Sequence, residues 1–176
     1  MSATGDQQGT KREAASGNGR RIPKLIMSIL ACEAIGGIGS VFAINSIPTW
    51  YVSIQKPWFT PPNWLFGPVW ITLFLLMGVS LFLLWPKSPK ERANNRMALI
   101  IFGSQLALNV LWTFVFFGLQ LFFAGLIEIL VLWGVIALTI ITSYRVNKTA
   151  GLILVPYIAW VTIATLLNYY VWILNP

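Results

Sequence analysis

From Leu25 onward the chain alternates long apolar runs with brief polar punctuation. Leu25–Ile44 is closed by Asn45-Ser46-Ile47-Pro48, and Leu65–Trp85 is closed by Pro86 and the polar segment PKSPKERANN. Met97–Phe117 and Leu119–Ser143 are separated clearly only by Gly118, and Gly151–Leu174 completes the series. Each run approaches the roughly 20 residues that a helix needs to cross hydrocarbon. Read as one helix, Met97–Ser143 would extend about 70 Å at about 1.5 Å per residue, about twice the need of a bilayer. The pattern therefore predicts five spans, at about 25–44, 65–85, 97–117, 119–143 and 151–174. Ahead of them, residues 1–22 are rich in Gly, Ala, Ser and Gln and are expected to form a disordered basic tail. Residues 23–176 make up the membrane domain.

Composition sharpens this picture. Of 176 residues, 57% are hydrophobic and 10% charged, against about 25% charged in soluble domains. A short soluble chain keeps too much surface exposed to hide so many apolar side chains. The fold class expected is an all-α integral membrane protein with a five-helix bundle.

The net charge of +7 would suggest nucleic acid if it were scattered, but it is sorted. Lys11, Arg12, Arg20, Arg21 and Lys24 precede the first span, Lys87, Lys90, Arg92 and Arg96 follow the second, and Arg145 and Lys148 follow the fourth. With five crossings these segments share one side, and Lys56 alone lies opposite. The positive-inside rule then puts the N-terminus in the cytoplasm and the C-terminus outside. No nucleic-acid partner is needed to explain the charge. Arg20-Arg21 before an apolar run containing ILAC resembles an export signal, but Leu30 suits a lipobox poorly and the apolar run continues past Cys32. An uncleaved first helix is expected.

Candidate chemistry is sparse. The sequence has one cysteine, Cys32, and no histidine, which removes internal disulfides, multi-thiolate metal sites and histidine-based triads. Neither a metal nor a cofactor is expected, and an enzyme is not the leading reading. Gln105, Asn109, Trp112 or Thr113, and Phe116 recur on one face of helix 3. Unpaired amides facing lipid are costly, so Gln105 and Asn109 should point into the bundle. There each either bonds a neighbouring helix or meets a ligand. Pro156, Trp160, Ala164, Asn168 and Trp172 step by four along helix 5, and Trp70, Phe74 and Met77 share a face of helix 2. Glu33 and Glu128 fall inside spans with no intramembrane Lys or Arg to pair with, so each is either a structural or a functional acid. Cys32, Gly36 and Ser40, and Gly103 with Ala107, have small-xxx-small spacing, suited to close packing within the chain or to a second copy.

The segment KPWFTPPNWLFGPVW, residues 56–70, holds three tryptophans and four prolines. Its prolines favour extended or turn backbone. Trp50, Tyr51, Trp58 and Trp64 suit an interfacial belt, while the same residues suit a rigid aromatic lid over a pocket.

WYVSIQKPWFTPPNWLFGPVW resembles the signature loop and second-helix entrance of the translocator protein family, the tryptophan-rich sensory proteins (TspO/MBR), known in animals as peripheral-type benzodiazepine receptors. QLALNVLWTFVFFG at 105–118 and PYIAWVTIATLLNYYVWILN at 156–175 are similar to that family's third- and fifth-helix patterns. The resemblance covers residues from about 25 to 175. It implies five packed helices around a cavity opening toward the first loop. It also implies binding of porphyrins of the protoporphyrin IX type, or related hydrophobic ligands, by a sensor-like membrane protein.

The positions matching the family's ligand contacts are Tyr51, Trp70, Gln105, Asn109, Trp160 and Ala164. The loop that would act as lid contributes Lys56, Pro57, Trp58, Pro61, Pro62 and Trp64. Glu128 matches a commonly acidic position, and a homodimer through helix 3 is implied. Two departures stand out. Tyr169-Tyr170 is followed by VWILNP with no cation, so the animal cholesterol-recognition pattern is incomplete. Ile163 stands where the family often has Phe, which suggests a wider or differently shaped pocket floor.

Alternatives to sensing are transport of tetrapyrroles and light- and oxygen-dependent porphyrin breakdown with Trp70 and Trp160 as redox neighbours. Against a transporter stands the lack of an inverted repeat. Against conventional catalysis stands the lack of a nucleophile–base constellation. The expected location is a multi-pass position in the plasma membrane of a prokaryote rather than a mitochondrial outer membrane.

Overall fold

A computed structural model describes residues 21–86 and 88–176. The long helices are α1 (Arg21–Ser46), α2 (Asn63–Leu83), α3 (Pro89–Thr113), α4 (Phe122–Val146) and α6 (Val155–Leu174), with a short α5 (Lys148–Leu152) before α6. Five helical segments are long and apolar enough to cross a membrane, α5 and α6 together forming the fifth. No strand occurs among the described residues.

Several boundaries differ from the hydropathy pattern, each for a local reason. The tail expected over 1–22 lies outside the described residues as far as Arg20, while Arg21 and Ile22 already belong to α1. Helix α3 starts at Pro89 rather than near 97. Ser88 caps it by accepting from the Glu91 N–H at 3.2 Å, and Pro89 occupies the first turn, where no N–H is required. The polar stretch after Pro86 is therefore mostly helix projecting from the apolar band. At the other end α1 does not stop at Pro48. It widens into a π-helical turn, Ile47–Tyr51, and α3 does likewise over Phe114–Gly118. Such turns shift the helix register and often mark functional sites.

Helix α1 packs against α2 and α3, α3 against α4, and α4 against α5 and α6. Ring contacts close the circle, with Trp70 of α2 at 6.3 Å from Tyr157 of α6 and Phe66 of α2 at 5.9 Å from Trp160. The outward faces are apolar, with Leu30, Val41, Ile100 and Leu130 exposed, whereas Ser80, Gln105, Asn109, Thr139 and Asn168 are buried. This arrangement suits lipid, where polar groups must find partners inside. Ser80 Oγ donates to the Ala150 carbonyl at 2.9 Å, joining α2 to α5, and Ser46 Oγ donates to the Phe117 carbonyl at 2.9 Å, joining α1 to the end of α3. Gly78 lets α2 lie directly on α1, since a Cβ there would stand 2.5 Å from Ile29 Cα.

Candidate functional site

Between α1, α2, α3 and α6, in the half of the bundle nearest the 47–62 segment, lies a cavity of about 350 Å³. Its aromatic walls are Trp70 and Phe74 of α2, Trp112 of α3 and Trp160 of α6, with Phe66 and Phe117 toward the loop end. Helix α1 contributes the room. Gly36, Gly37, Gly39 and Ser40 line one side, and at Gly36 a Cβ would meet the Phe74 ring at 2.5 Å. The small residues that in the sequence suit helix packing thus also shape a cavity wall. Ile44 and Ile71 lie on the lining too, and at 68% and 61% exposure they stand on an outer rim. The cavity accordingly opens sideways between α1 and α2, toward lipid.

The structure brings four of the six expected contact residues together on this cavity: Trp70, Asn109, Trp160 and Ala164. Asn109 is held from behind, its Nδ2 donating to the Tyr157 hydroxyl at 3.0 Å, while its own carbonyl accepts from Thr113 Oγ1 at 3.0 Å. Trp112 Nε1 donates to Asn168 Oδ1 at 3.2 Å, and Asn168 Nδ2 donates to the Phe122 carbonyl at 2.8 Å. Helix α6 and the entrance of α4 therefore fix the Trp112 ring of α3.

The other two do not line the cavity. Gln105, 0% exposed, sits one turn deeper on α3. Its Nε2 approaches Met77 Sδ at 3.8 Å, and its Oε1 has no partner. Tyr51 is drawn inward by the π-turn and packs its ring on Phe66 and Phe117 at 6.1 and 5.8 Å. It supports the wall from outside.

None of Lys56, Pro57, Trp58, Pro61, Pro62 and Trp64 lines the cavity. Trp58 and Trp64 are 96% and 72% exposed, which suits headgroup contact. Trp50, expected in the belt, instead stacks on Phe122 at 5.6 Å and 15° inside an aromatic cluster. Lys56 works as a clasp. Its Nζ donates to the carbonyls of Tyr51 at 2.6 Å and Ile54 at 2.8 Å and lies 5.0 Å from the centre of the Tyr51 ring. Partial burial pulls this ammonium below the usual lysine range. Asn175, beyond α6, ties down the same segment, accepting from Gln55 N and donating to the Gln55 carbonyl, both at 3.0 Å.

The stripe Pro156–Trp160–Ala164–Asn168–Trp172 holds only at its centre, because steps of four drift around a 3.6-residue helix. Pro156 and Trp172 face outward, and Tyr157, Val161 and Val171 take the inner positions. Ile163 is also outside the cavity. It lines a separate apolar groove of about 460 Å³ on the outer face of α2 and α6. Trp160 belongs to both linings and partitions them. Glu33 lies on the cavity lining, at its deep end. Glu128 does not, and both its carboxyl oxygens are enclosed without a hydrogen-bond partner. Sequence reasoning left Glu33 without a role, and its only signal was an acid inside a span.

The family model described as the TspO/MBR family matches residues 28–173. A Tryptophan-rich protein TspO of Archaeoglobus fulgidus is 45% identical over 154 residues, covering 88% of this chain and 98% of that protein. One from Chlorobaculum tepidum is 40% identical over 157 residues, covering 89% and 99% respectively. The Translocator protein of Homo sapiens is 37% identical over 135 residues, covering 77% and 80%.

Proposed function

The chain belongs to the TspO/MBR family, and on that footing we propose that it binds a flat hydrophobic ligand of the protoporphyrin IX type in the cavity between α1, α2, α3 and α6. The observation that carries the reading is the meeting of Trp70, Asn109, Trp160 and Ala164 on one cavity surface. Two indoles supply stacking faces, small Ala164 beside Trp160 leaves space for a ring edge, and Asn109 fixes orientation. Pockets of this size are commonly apolar with few polar groups. Burial at about 25 cal/mol per Å² supplies most of the affinity.

The sideways opening supports entry from the bilayer rather than from water. Binding without a nucleophile–base pair supports a receptor or sensor role, consistent with the sensory and translocator names of relatives. From the sorting of basic residues we further propose that the N-terminus lies in the cytoplasm of a prokaryotic cell, with the basic ends of the helices on anionic lipid. Gly103 and Ala107 are exposed together on α3 and offer a homodimer face.

Protoporphyrin IX titration in nanodiscs, followed by tryptophan quenching with inner-filter correction, tests the reading. Saturable binding weakened about tenfold by Trp160→Phe and by Asn109→Ala supports it. Non-saturable partitioning unchanged by both substitutions refutes it.

A further inference from the structure

The cavity has a polarity that its aromatic walls conceal. Four of its lining residues carry polar side chains without an indole: Glu33, Ser40, Asn109 and Thr113. Ser40 Oγ donates to the Gly37 carbonyl at 2.8 Å, Thr113 Oγ1 donates to the Asn109 carbonyl, and Asn109 spends an N–H on Tyr157. Ser40 and Thr113 thereby turn their donors into protein and leave an oxygen for a guest, while Asn109 keeps its Oδ1 and one N–H. Glu33 is the only ionisable side chain on the lining, and no lysine or arginine accompanies it. It forms no ion pair among the described residues. It sits at the deep end, one helical turn from Gly36 where α1 meets Phe74, near the middle of the Arg21–Ser46 helix. An intramembrane carboxylate is costly unless something pairs with it, and here the space it faces is the ligand space.

We propose that Glu33 sets the charge preference of the site: among flat aromatic ligands it favours those that carry a protonated amine or comparable N–H cation, and it turns the carboxylates of a protoporphyrin away from the deep end, toward the open side of the cavity. The proposal rests on the cavity-binding reading above and names the ligand class within it. The ring system lies between Trp70, Phe74 and Trp160, and the cation reaches Glu33 past the glycines of α1. A cationic guest converts an unpaired acid into a hydrogen-bonded ion pair in a medium where such pairs are strong. A carboxylate-bearing guest meets like charge there and must seat its acids elsewhere.

The test uses the full chain in phosphatidylcholine nanodiscs, whose neutral headgroups do not bias partitioning. Two probes share one ring: protoporphyrin IX, and its derivative with both propionates converted to aminoethyl amides. The expected result is that Glu33→Gln weakens the amine derivative at least tenfold and tightens protoporphyrin IX, while Glu33→Asp keeps the wild-type preference. An unchanged ratio of the two affinities in Glu33→Gln, within twofold of wild type, overturns the proposal and leaves cavity binding standing. If neither probe saturates the wild-type protein, the cavity reading fails and this proposal falls with it. Circular dichroism of each variant separates loss of preference from loss of fold.

Discussion

Asn109 of α3 donates from Nδ2 to the Tyr157 hydroxyl of α6 at 3.0 Å, and that one bond joins the cavity lining to the buried core. Tyr157 is itself fully enclosed, so the bond holds the Asn109 side chain from a position that a ligand does not reach. Tyr157→Phe would leave the amide N–H without its partner. Interhelical hydrogen bonds in membranes average about 0.6 kcal/mol, whereas an orphaned buried donor costs about 1–3 kcal/mol. We expect a loss of about 1 kcal/mol in reversible denaturation in bicelles, with a weaker ligand complex because Asn109 is no longer oriented. An unchanged unfolding midpoint would show that the bond carries little.

Helix α1 lies against α2 through Gly78, where an added Cβ would stand 2.5 Å from Ile29 Cα and 3.0 Å from Ile29 N. Backbone cannot yield as a flexible side chain does. Gly78→Ala should therefore destabilise by about 1–3 kcal/mol or more, in line with overpacked cores. Gly134→Ala, with nothing within 4 Å of its built Cβ, should be neutral to slightly stabilising, since alanine favours helix. The same thermal or denaturant assay on both variants checks the contrast.

The segment between α1 and α2 is held by Lys56 beneath Tyr51 and by Asn175 against Gln55. Asn175→Ala removes the reciprocal pair, and Lys56→Met removes the carbonyl clasp. Faster hydrogen exchange confined to about residues 52–62 is expected for both variants, with exchange in α3 unaltered. Uniform protection in both variants would mean that the prolines alone hold the segment.

Trp160 separates the internal cavity from the groove that holds Ile163. Ile163→Phe adds bulk to the groove side only, so protoporphyrin IX affinity should stay within about twofold of wild type. A large change in affinity at this position would place the ligand in the groove instead.

Much of this was legible before any coordinates. Five spans follow from run length, and the inward turn of Gln105 and Asn109 follows from helical period and the cost of an amide in lipid. Hydropathy could not show that Ser88 and Pro89 start a helix inside a charged stretch, because capping is local and independent of apolar content. Nor could it show that α1 and α3 end in π-turns that swing Tyr51 and Phe117 inward. The part played by α1 was the hardest to see. Gly37 matters for the volume it leaves empty and Gly36 for the close approach of Phe74 that it permits, and neither an empty volume nor a close approach has a residue type. Gln105 and Asn109, four apart on one face, differ by one turn of depth, which decides that Asn109 meets the cavity and Gln105 meets Met77.

The central claim is that the space beside Ala164 is the ligand site, and the most direct measurement fills that space. Ala164→Phe projects a ring into the cavity from α6 without removing any hydrogen bond. The account predicts that saturable protoporphyrin IX binding in nanodiscs is lost or weakened at least about tenfold, while the unfolding midpoint stays level or rises. Wild-type affinity in a folded Ala164→Phe protein would contradict it.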